Sequence, residues 1–362
     1  MSLLRVRFRP ASFLGTPLQA DTMFGHFCWA IRYREGEEAL SDFLAAYDEG
    51  APPLLLSDGF PVVGESYYIP RPTLPSRSTD FESVKQSVGV KEDDRAELRR
   101  FAAAWKAIDK KAYVELNTLM IRSEPLNGAD IMHDCFALRI CPQSMAIRDE
   151  SVCKCSSWND CPALNPESRK FKCTVAFPEH ASVVTTHNVI NRWNTTSINL
   201  YTREDSYPFH DFYFLAQIDG DKMSKDRFQA CMEFVRHSGY GRDKSVGCGA
   251  IKDLTVEDWS PPSAEGANAF VNLSSSYVPK PGQLSRGFYN VHVKRGKLGG
   301  DYVLQYSPWK RPILMIRAGS VFEGDPSAVY GVLVRNVHYE LDNVVQYGYA
   351  FPLGVKVDAE AF

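Results

Sequence analysis

The chain has 362 residues, of which 44% are hydrophobic and 23% charged, proportions that fit a globular protein large enough for two domains. Its net charge of -3 argues against a free-standing, general nucleic-acid binder, so an RNA ligand would have to be held at local basic sites or with partner subunits. No apolar run approaches membrane-spanning length, and the N-terminus lacks a signal-peptide core, so we expect a cytoplasmic protein.

The first residues predict a strand followed by a helix. Apolar and basic side chains alternate along the strand, and we expect its basic face to be a solvated edge: Leu4, Val6, Phe8 and Arg5, Arg7, Arg9. Asp21 or Thr22 is then expected to cap a helix with an apolar stripe at Phe24, Phe27, Cys28 and Ile31. Residues 51–75 are rich in proline and predict an extended connection, and residues 92–111 predict a helix of mixed charge.

Six of the nine cysteines fall between Cys135 and Cys173, a concentration that packing alone rarely produces. An odd number of cysteines in an unexported chain favours thiols or metal ligands over a disulfide framework. We expect a structural zinc ion held by Cys153, Cys155, Cys161 and Cys173. Cys135, Cys141 or His133 could replace one of these ligands, and scattered free thiols are the alternative.

A second strand and helix precede a glycine-rich loop. Residues 212–218 predict a buried strand, and Ser224 can cap a helix that ends near Gly239. Its apolar stripe is Phe228, Cys231, Met232 and Val235. Residues 250–259 then predict the strand that closes this β-α-β unit. Residues 260–267 indicate a domain boundary, and the strand-like runs beyond it contain few helical stretches.

The loop itself combines four glycines with two cations and a hydroxyl: Gly239, Gly241, Gly247, Gly249, Arg242, Lys244 and Ser245. Glycine lets the backbone approach a ligand closely, and this composition suits phosphate binding through amides and point charges. The spacing matches neither a Walker A loop nor a dinucleotide-binding fingerprint. A glycine-rich hairpin with a solvated, charged tip is the competing interpretation.

Several short motifs, in order along the chain, resemble the RAMP superfamily of CRISPR proteins. They are Thr16–His26, Ser57–Pro61, Ile69–Pro72, the glycine loop and Tyr347–Pro352. Together they resemble the subunit of type III-A (Csm-type) effector complexes that caps the 5′ handle of the CRISPR RNA. The resemblance implies an α+β fold of two ferredoxin-like (RRM-like) domains with antiparallel sheets. We place these domains at residues 1–259 and 260–362, the first carrying an insertion at about 76–208 that is cysteine-rich near 133–173.

The implied function is non-catalytic. Such a subunit binds the repeat-derived 5′ handle of the guide RNA, docks the large polymerase/nuclease subunit and adjoins backbone RAMP subunits, and it meets target RNA only indirectly. A single-stranded handle calls for phosphate contacts, stacking and base-edge hydrogen bonds. Residues 186–193 resemble a thumb-like hairpin of the family, which makes His187, Asn188 and Arg192 further RNA candidates. Asn191 stands where the family has aspartate, and an ordinary polar hairpin is the alternative.

Two other functions remain open on the sequence. RNA-processing relatives in the superfamily cut CRISPR precursors without metal, and a metal-independent endoribonuclease could use His26 or His187 as a base, with Lys244 stabilising charge. A zinc-stapled interaction scaffold without RNA contact is the third candidate.

Overall fold

The computed structural model describes residues 2–120, 124–168, 170, 172–178, 180–261 and 266–358. Its α-helices are α1 (Ala20–Glu35), α2 (Glu37–Asp48), α3 (Ser78–Ser87), α4 (Arg95–Asp109), α5 (Leu116–Met120), α6 (Asp130–Phe136), α7 (Lys225–Ser238) and α8 (Tyr302–Gln305). Short 3₁₀ helices cover Trp158–Asp160 and Lys244–Val246. Within the described ranges, no helix is both long and apolar enough to cross a bilayer.

The strands of the first two thirds of the chain are β1 (Ser2–Pro10), β2 (Leu54–Leu56), β3 (Phe60–Val63), β4 (Ser66–Pro70), β5 (Tyr113–Glu115), β6 (Ile140–Cys141), β7 (Ala146–Ile147), β8 (His180–Ile190), β9 (Ser197–Pro208), β10 (Asp211–Ile218) and β11 (Ile251–Asp258). Those of the last third are β12 (Ala269–Asn272), β13 (Gly287–Phe288), β14 (Val291–Lys294), β15 (Ile313–Ile316), β16 (Val321–Glu323), β17 (Gly331–Val334), β18 (Gln346–Tyr349) and β19 (Pro352–Val355). The predicted α+β class, with helices and antiparallel sheets, is confirmed.

The main sheet has the order β11-β1-β10-β3-β4-β5, and β2 also pairs with β10. Strand β1 therefore lies between β10 and β11 and runs antiparallel to both. A second sheet has the order β13-β16-β12-β19, and all of its strands come from residues beyond 268. The second strand–helix pair is confirmed: Ser224 accepts a hydrogen bond from Arg227 N at 3.2 Å, and α7 ends at Gly239 with φ 79°.

Helices α1 and α7 cover the apolar face of the main sheet. Leu4 and Val6 are fully buried there, as is the predicted stripe of α7. The Phe27 ring of α1 stacks on the Phe228 ring of α7 with centroids 5.1 Å apart. The periodicity of the two helices thus directs both stripes into one core.

The basic face of β1 is not a free edge, so that expectation was wrong. Because β1 is an interior strand, each arginine faces an acidic side chain on a neighbouring strand. Arg5 pairs with Glu257 at 2.7 Å, and Arg7 and Arg9 both pair with Asp211 at 3.0 Å. These three guanidinium groups stabilise the sheet and are committed to it.

The expected cap of α1 was also wrong. The helix begins at Ala20, and its N-cap residue Gln19 makes no side-chain capping bond. Asp21 is buried instead and accepts hydrogen bonds from Lys294 and Gln346, both at 2.5 Å. Its carboxylate therefore ties α1 to strands β14 and β18 of the last third of the chain.

A long two-stranded hairpin leaves the main sheet just before β10. Strands β8 and β9 pair over their whole length, and most of the hairpin is exposed. Helices α4 and α6, which precede the hairpin in the chain, pack around an aromatic cluster in which the centroids of the Phe101 and Phe136 rings are 4.5 Å apart. Strand β5, from the same stretch, pairs with β4 at the end of the main sheet.

We predict that Tyr347→Phe destabilises the protein by about 1–3 kcal/mol, because it leaves a buried donor without an acceptor. The Tyr347 hydroxyl accepts the backbone N–H of Leu56 at 2.9 Å, and Tyr347 is 1% exposed. Tyr330→Phe is the control, since its exposed hydroxyl donates to Asp325 O at 3.0 Å and water can replace that bond. Urea denaturation measures both; an equal loss in the two variants would contradict the prediction.

Candidate nucleic-acid interface

The glycine loop, residues 239–249, packs against the connection between β1 and α1. Gly249 N donates to Phe13 O at 2.8 Å, and Arg242 N donates to Thr16 Oγ1 at 3.0 Å. The buried Tyr240 hydroxyl donates to Pro17 O at 2.7 Å. The loop and the start of the Thr16–His26 motif, more than two hundred residues apart in sequence, therefore form one surface.

Most backbone amides of this loop are already used inside the protein. The donors with protein acceptors are Gly239, Tyr240, Gly241, Arg242, Val246, Gly247, Cys248 and Gly249. The amides of Asp243, Lys244 and Ser245 have no acceptor within the described part of the chain. The loop thus offers a ligand three adjacent amides at its tip.

Glycine occupies the four positions of the loop for different structural reasons. A Cβ on Gly249 would lie 1.8 Å from Tyr240 O, so the fold itself requires glycine there. A Cβ on Gly247, where φ is 93°, would meet no described atom within 4 Å. Gly239 ends α7, and Gly241 lies against Thr16. The positive φ therefore favours glycine at position 247, and the space beside it is open in the described structure.

Arg242 contacts protein acceptors on several sides. Its Nε donates to Gly15 O at 2.5 Å, and its Nη2 donates to Asp205 Oδ1 at 2.9 Å and Glu204 O at 2.7 Å. Asp205 is 3% exposed and also pairs with Arg203 at 2.6 Å. Arg242 therefore joins the glycine loop to β9, and most of its N–H donors are already bonded within the protein.

Lys244 and Ser245 differ from Arg242 in being uncommitted. Neither side chain has a hydrogen bond or ion pair among the described residues, and both residues are exposed. Partial desolvation of the ammonium group lowers the pKa of Lys244 from its usual value, and the described structure gives this group no acidic partner. A hydroxyl donor, a cation and three amides without acceptors in the described structure thus lie together in residues 243–245.

His26 lies beneath the loop, where it supports the backbone. Its Nε2 accepts the N–H of Gly241 at 2.9 Å. Burial, together with the nearby Lys244 charge, lowers the pKa of His26 to about 3. The imidazole is therefore neutral at physiological pH. Its unprotonated nitrogen already accepts a hydrogen bond from the backbone, which disfavours the role of general base.

His187 is not brought near His26. It lies on β8, where its ring stacks on Tyr201 at 5.2 Å and its Nε2 is 3.0 Å from Thr185 Oγ1. The hairpin meets the glycine loop at Asp205, and Val183 lies opposite Asp205 on β8. His187 is four residues farther along β8, about 13 Å at 3.3 Å per residue. The structure thus gives the two candidate bases of a nuclease no common site.

The tip of the hairpin carries the other predicted RNA residues. The Asn188 side chain accepts from Ser197 Oγ at 2.6 Å, and Arg192 is exposed without an ion pair among the described residues. Asn191 shapes the turn, since its Oδ1 accepts the N–H of Trp193 at 2.9 Å. Trp193 is 99% exposed, and the sequence argument did not select it. The sequence feature that could have identified Trp193 is the presence of a tryptophan in an otherwise polar turn.

The structure brings together only some of the four cysteines that were expected to bind zinc. Cys153, Cys155 and Cys161 are buried near one another, whereas Cys173 is exposed. Burial, reinforced by the neighbouring thiols Cys161 and Cys153, raises the pKa of Cys155 to about 12. Among the described residues, no three or more His, Cys, Asp and Glu side chains form a ready metal-binding group. The zinc ion remains a prediction.

Comparison with known proteins identifies the fold. No family model matches the chain, and no curated protein sequence matches it either. A chain in the crystal structure of the Csm3–Csm4 subcomplex of the type III-A CRISPR-Cas interference complex matches with TM-score 0.59 and 13% identity, over 99% of this chain and 100% of that one.

A second group of solved structures gives the same result. A chain of the Csm1–Csm4 cassette bound to AMPPNP matches with TM-score 0.51 and 20% identity, over 99% of both chains. The same cassette bound to cA4 matches with TM-score 0.51 and 18% identity. Csm4 is the subunit named in both assemblies, and the likeness shows that this chain shares the fold of the matched chains.

Proposed function

We propose that the chain is the non-catalytic CRISPR RNA-binding subunit of a type III effector complex. In this role it caps the repeat-derived 5′ handle of the guide RNA and docks the large polymerase/nuclease subunit, with backbone RAMP subunits beside it and target RNA meeting it only indirectly. The Csm4-like fold over nearly the whole chain supports the place in the complex. The single observation that carries the RNA role is that the Lys244 and Ser245 side chains, both in exposed residues, have no hydrogen bond or ion pair in the part of the chain that the structure describes.

The topology supports the finer fold assignment. In the main sheet, the order β11-β1-β10-β2 combines β1 and α1 with β10 and α7 as a β-α-β-β-α-β unit. We therefore propose one ferredoxin-like domain at residues 1–259, a second at 260–362, and residues 76–208 as an insertion of the first. The complex would act in the cytoplasm.

The loop tip suits the chemistry of a single-stranded handle. Amides of residues 243–245 and the Ser245 hydroxyl can donate to phosphate oxygens, while Lys244 supplies charge. An otherwise near-neutral protein gains affinity this way without a broad basic surface. Because Gly247 adds no side chain beside them, a sugar–phosphate backbone can approach closely.

The hairpin offers a second type of contact. Trp193 presents an exposed aromatic face, and stacking of a base on such a face is worth about 1–3 kcal/mol. Arg192 beside it adds an exposed cation that has no ion pair among the described residues. On β9, Ser197 lies eight residues from Asp205, which is about 26 Å at 3.3 Å per residue, so one RNA strand would pass the hairpin tip and the loop in succession.

We predict that Lys244→Ala weakens binding of the guide RNA by the assembled complex and lowers the slope of log K against log salt by about 0.7, the value for one phosphate contact on a single strand. Fluorescence anisotropy over a salt series measures both quantities. Lys280→Ala is the matched control, because Lys280 is also exposed but lies in the last third of the chain.

An unchanged slope in the Lys244 variant, or an equal change in the Lys280 variant, would contradict the assignment of the loop as a phosphate site. Loss of the complex itself in either variant is detected beforehand by size-exclusion chromatography.

We predict that Asp205→Ala frees the hairpin from the glycine loop. The substitution removes the buried acceptor shared by Arg203 and Arg242, at a local cost of about 1–3 kcal/mol. Amide hydrogen exchange in residues 180–184 and 203–208 should become about tenfold faster. Asp253→Ala is the control, since Asp253 pairs with Arg9 at 3.7 Å and is 62% exposed.

RNA affinity of the Asp205 variant should fall while its salt slope is retained, because no phosphate contact is removed. Unchanged exchange in the hairpin would show that the ion pairs do not hold it in place.

A further inference from the structure

The last third of the chain carries a surface of basic and aromatic side chains that includes neither the glycine loop nor the hairpin. We name it the aromatic–basic patch, and it consists of Arg295, Lys297, Trp309, Arg311 and Tyr339. All five residues are exposed, Trp309 to 38% and Tyr339 to 68%. Two large rings on a polar surface call for a ligand or a structural reason.

The alternation of side chains along extended backbone separates the basic residues of this region into two sets. Lys294 and Lys310 point inward, where their ammonium groups donate to a buried carboxylate at 2.5 Å and to a backbone carbonyl at 2.7 Å. The patch residues next to them in sequence, Arg295, Trp309 and Arg311, are exposed. One set of cations is therefore committed to the interior, and the other remains at the surface.

Backbone contacts hold the three segments of the patch together. Lys297 and Trp309 form an antiparallel β-bridge, so their side chains lie on the same face. Arg311 N donates to Val337 O at 2.7 Å, which brings in the segment that carries Tyr339. A small buried core supports these segments: Leu298, Val337 and Val344. The patch is thus built on paired backbone rather than on an isolated loop.

The cations of the patch lie over its rings. The Lys297 ammonium is 4.3 Å from the centroid of the Trp309 ring, and the Arg295 guanidinium carbon is 5.2 Å from it. The Arg311 guanidinium carbon is 4.6 Å from the centroid of the Tyr339 ring. A ring attracts a cation without neutralising its charge, and none of the three cations has an ion pair among the described residues. Their charges are therefore open to an anionic ligand.

We propose that the aromatic–basic patch is a further binding site for single-stranded RNA. Surfaces that bind single strands combine aromatic rings, on which bases stack, with cations that contact the phosphates. Trp309 and Tyr339 supply the rings, and each has at least one cation beside it. An acidic protein segment would use the cations and leave the rings unexplained. The choice of RNA rests on the proposed function, whereas the surface itself is separate from the glycine loop and the hairpin.

The test is fluorescence anisotropy of a short labelled oligouridine with the purified full chain over a salt series. Lys297→Ala should lower the slope of log K against log salt by about 0.7, the value for one phosphate contact on a single strand. Tyr339→Ala should weaken binding about 5- to 150-fold, which corresponds to the loss of one stacked base at about 1–3 kcal/mol. Val293→Ser is the control, because Val293 is 66% exposed on β14 but lies outside the patch.

The same variants are measured in a chain that also carries Lys244→Ala and Trp193→Ala, which separates the patch from the two sites proposed above. Binding that is unaffected by the patch variants, or no measurable binding of oligouridine by the unmutated chain, overturns the inference. If Lys244→Ala alone weakens binding, the inference fails while the proposed loop site stands. If the patch variants alone weaken it, the loop site fails while the inference stands.

A photoreactive amino acid at position 339 of the assembled complex identifies the strand that reaches the patch and does not depend on alanine variants. Crosslinks to the guide RNA or to a target RNA support the inference and distinguish the two sources. Crosslinks to protein alone, with oligouridine affinity unchanged in Tyr339→Ala, would assign the patch to a protein partner and contradict the inference.

Discussion

The structure depends on the contact between the glycine loop and the segment that joins β1 to α1. Tyr240 is buried at this contact, and its hydroxyl donates to Pro17 O and accepts from Gln19 N. His26 holds the next amide, that of Gly241. These bonds hold one end of the loop, and the donation of Gly249 N to Phe13 O holds the other. The three amides without acceptors in the described structure lie between these two ends, in residues that are exposed.

The same contact organises the charges. Arg242 leaves the loop toward β9 and meets the buried Asp205, so the long hairpin and the loop share an ion-pair network. The arginines of β1 are likewise paired within the sheet. The guanidinium groups of Arg242, Arg203 and the β1 arginines are thus committed to the fold. Lys244 and Arg192 have no acidic partner in the described structure, a property that they share with other exposed lysines such as Lys280.

Residue spacing was sufficient to predict the helices and strands that are stabilised by residues close in sequence. The stripe of α7, its Ser224 cap and the buried strand β10 follow from residue spacing, and the structure has them at nearly the predicted positions. The roles of Asp21 and Arg242 could not be obtained in this way. Their partners lie far away in sequence, such as Gln346 for Asp21 and Gly15 for Arg242, and only the sheet order brings them together. The same holds for the interior position of β1.

The most direct test of the account is photo-crosslinking in the assembled complex, with a photoreactive amino acid at position 245 and sequencing of the attached RNA. If the loop tip holds the handle, crosslinks will map to the repeat-derived 5′ segment of the guide. Crosslinks confined to the spacer-derived part, or reaction only with protein while the guide is bound, would contradict the central claim.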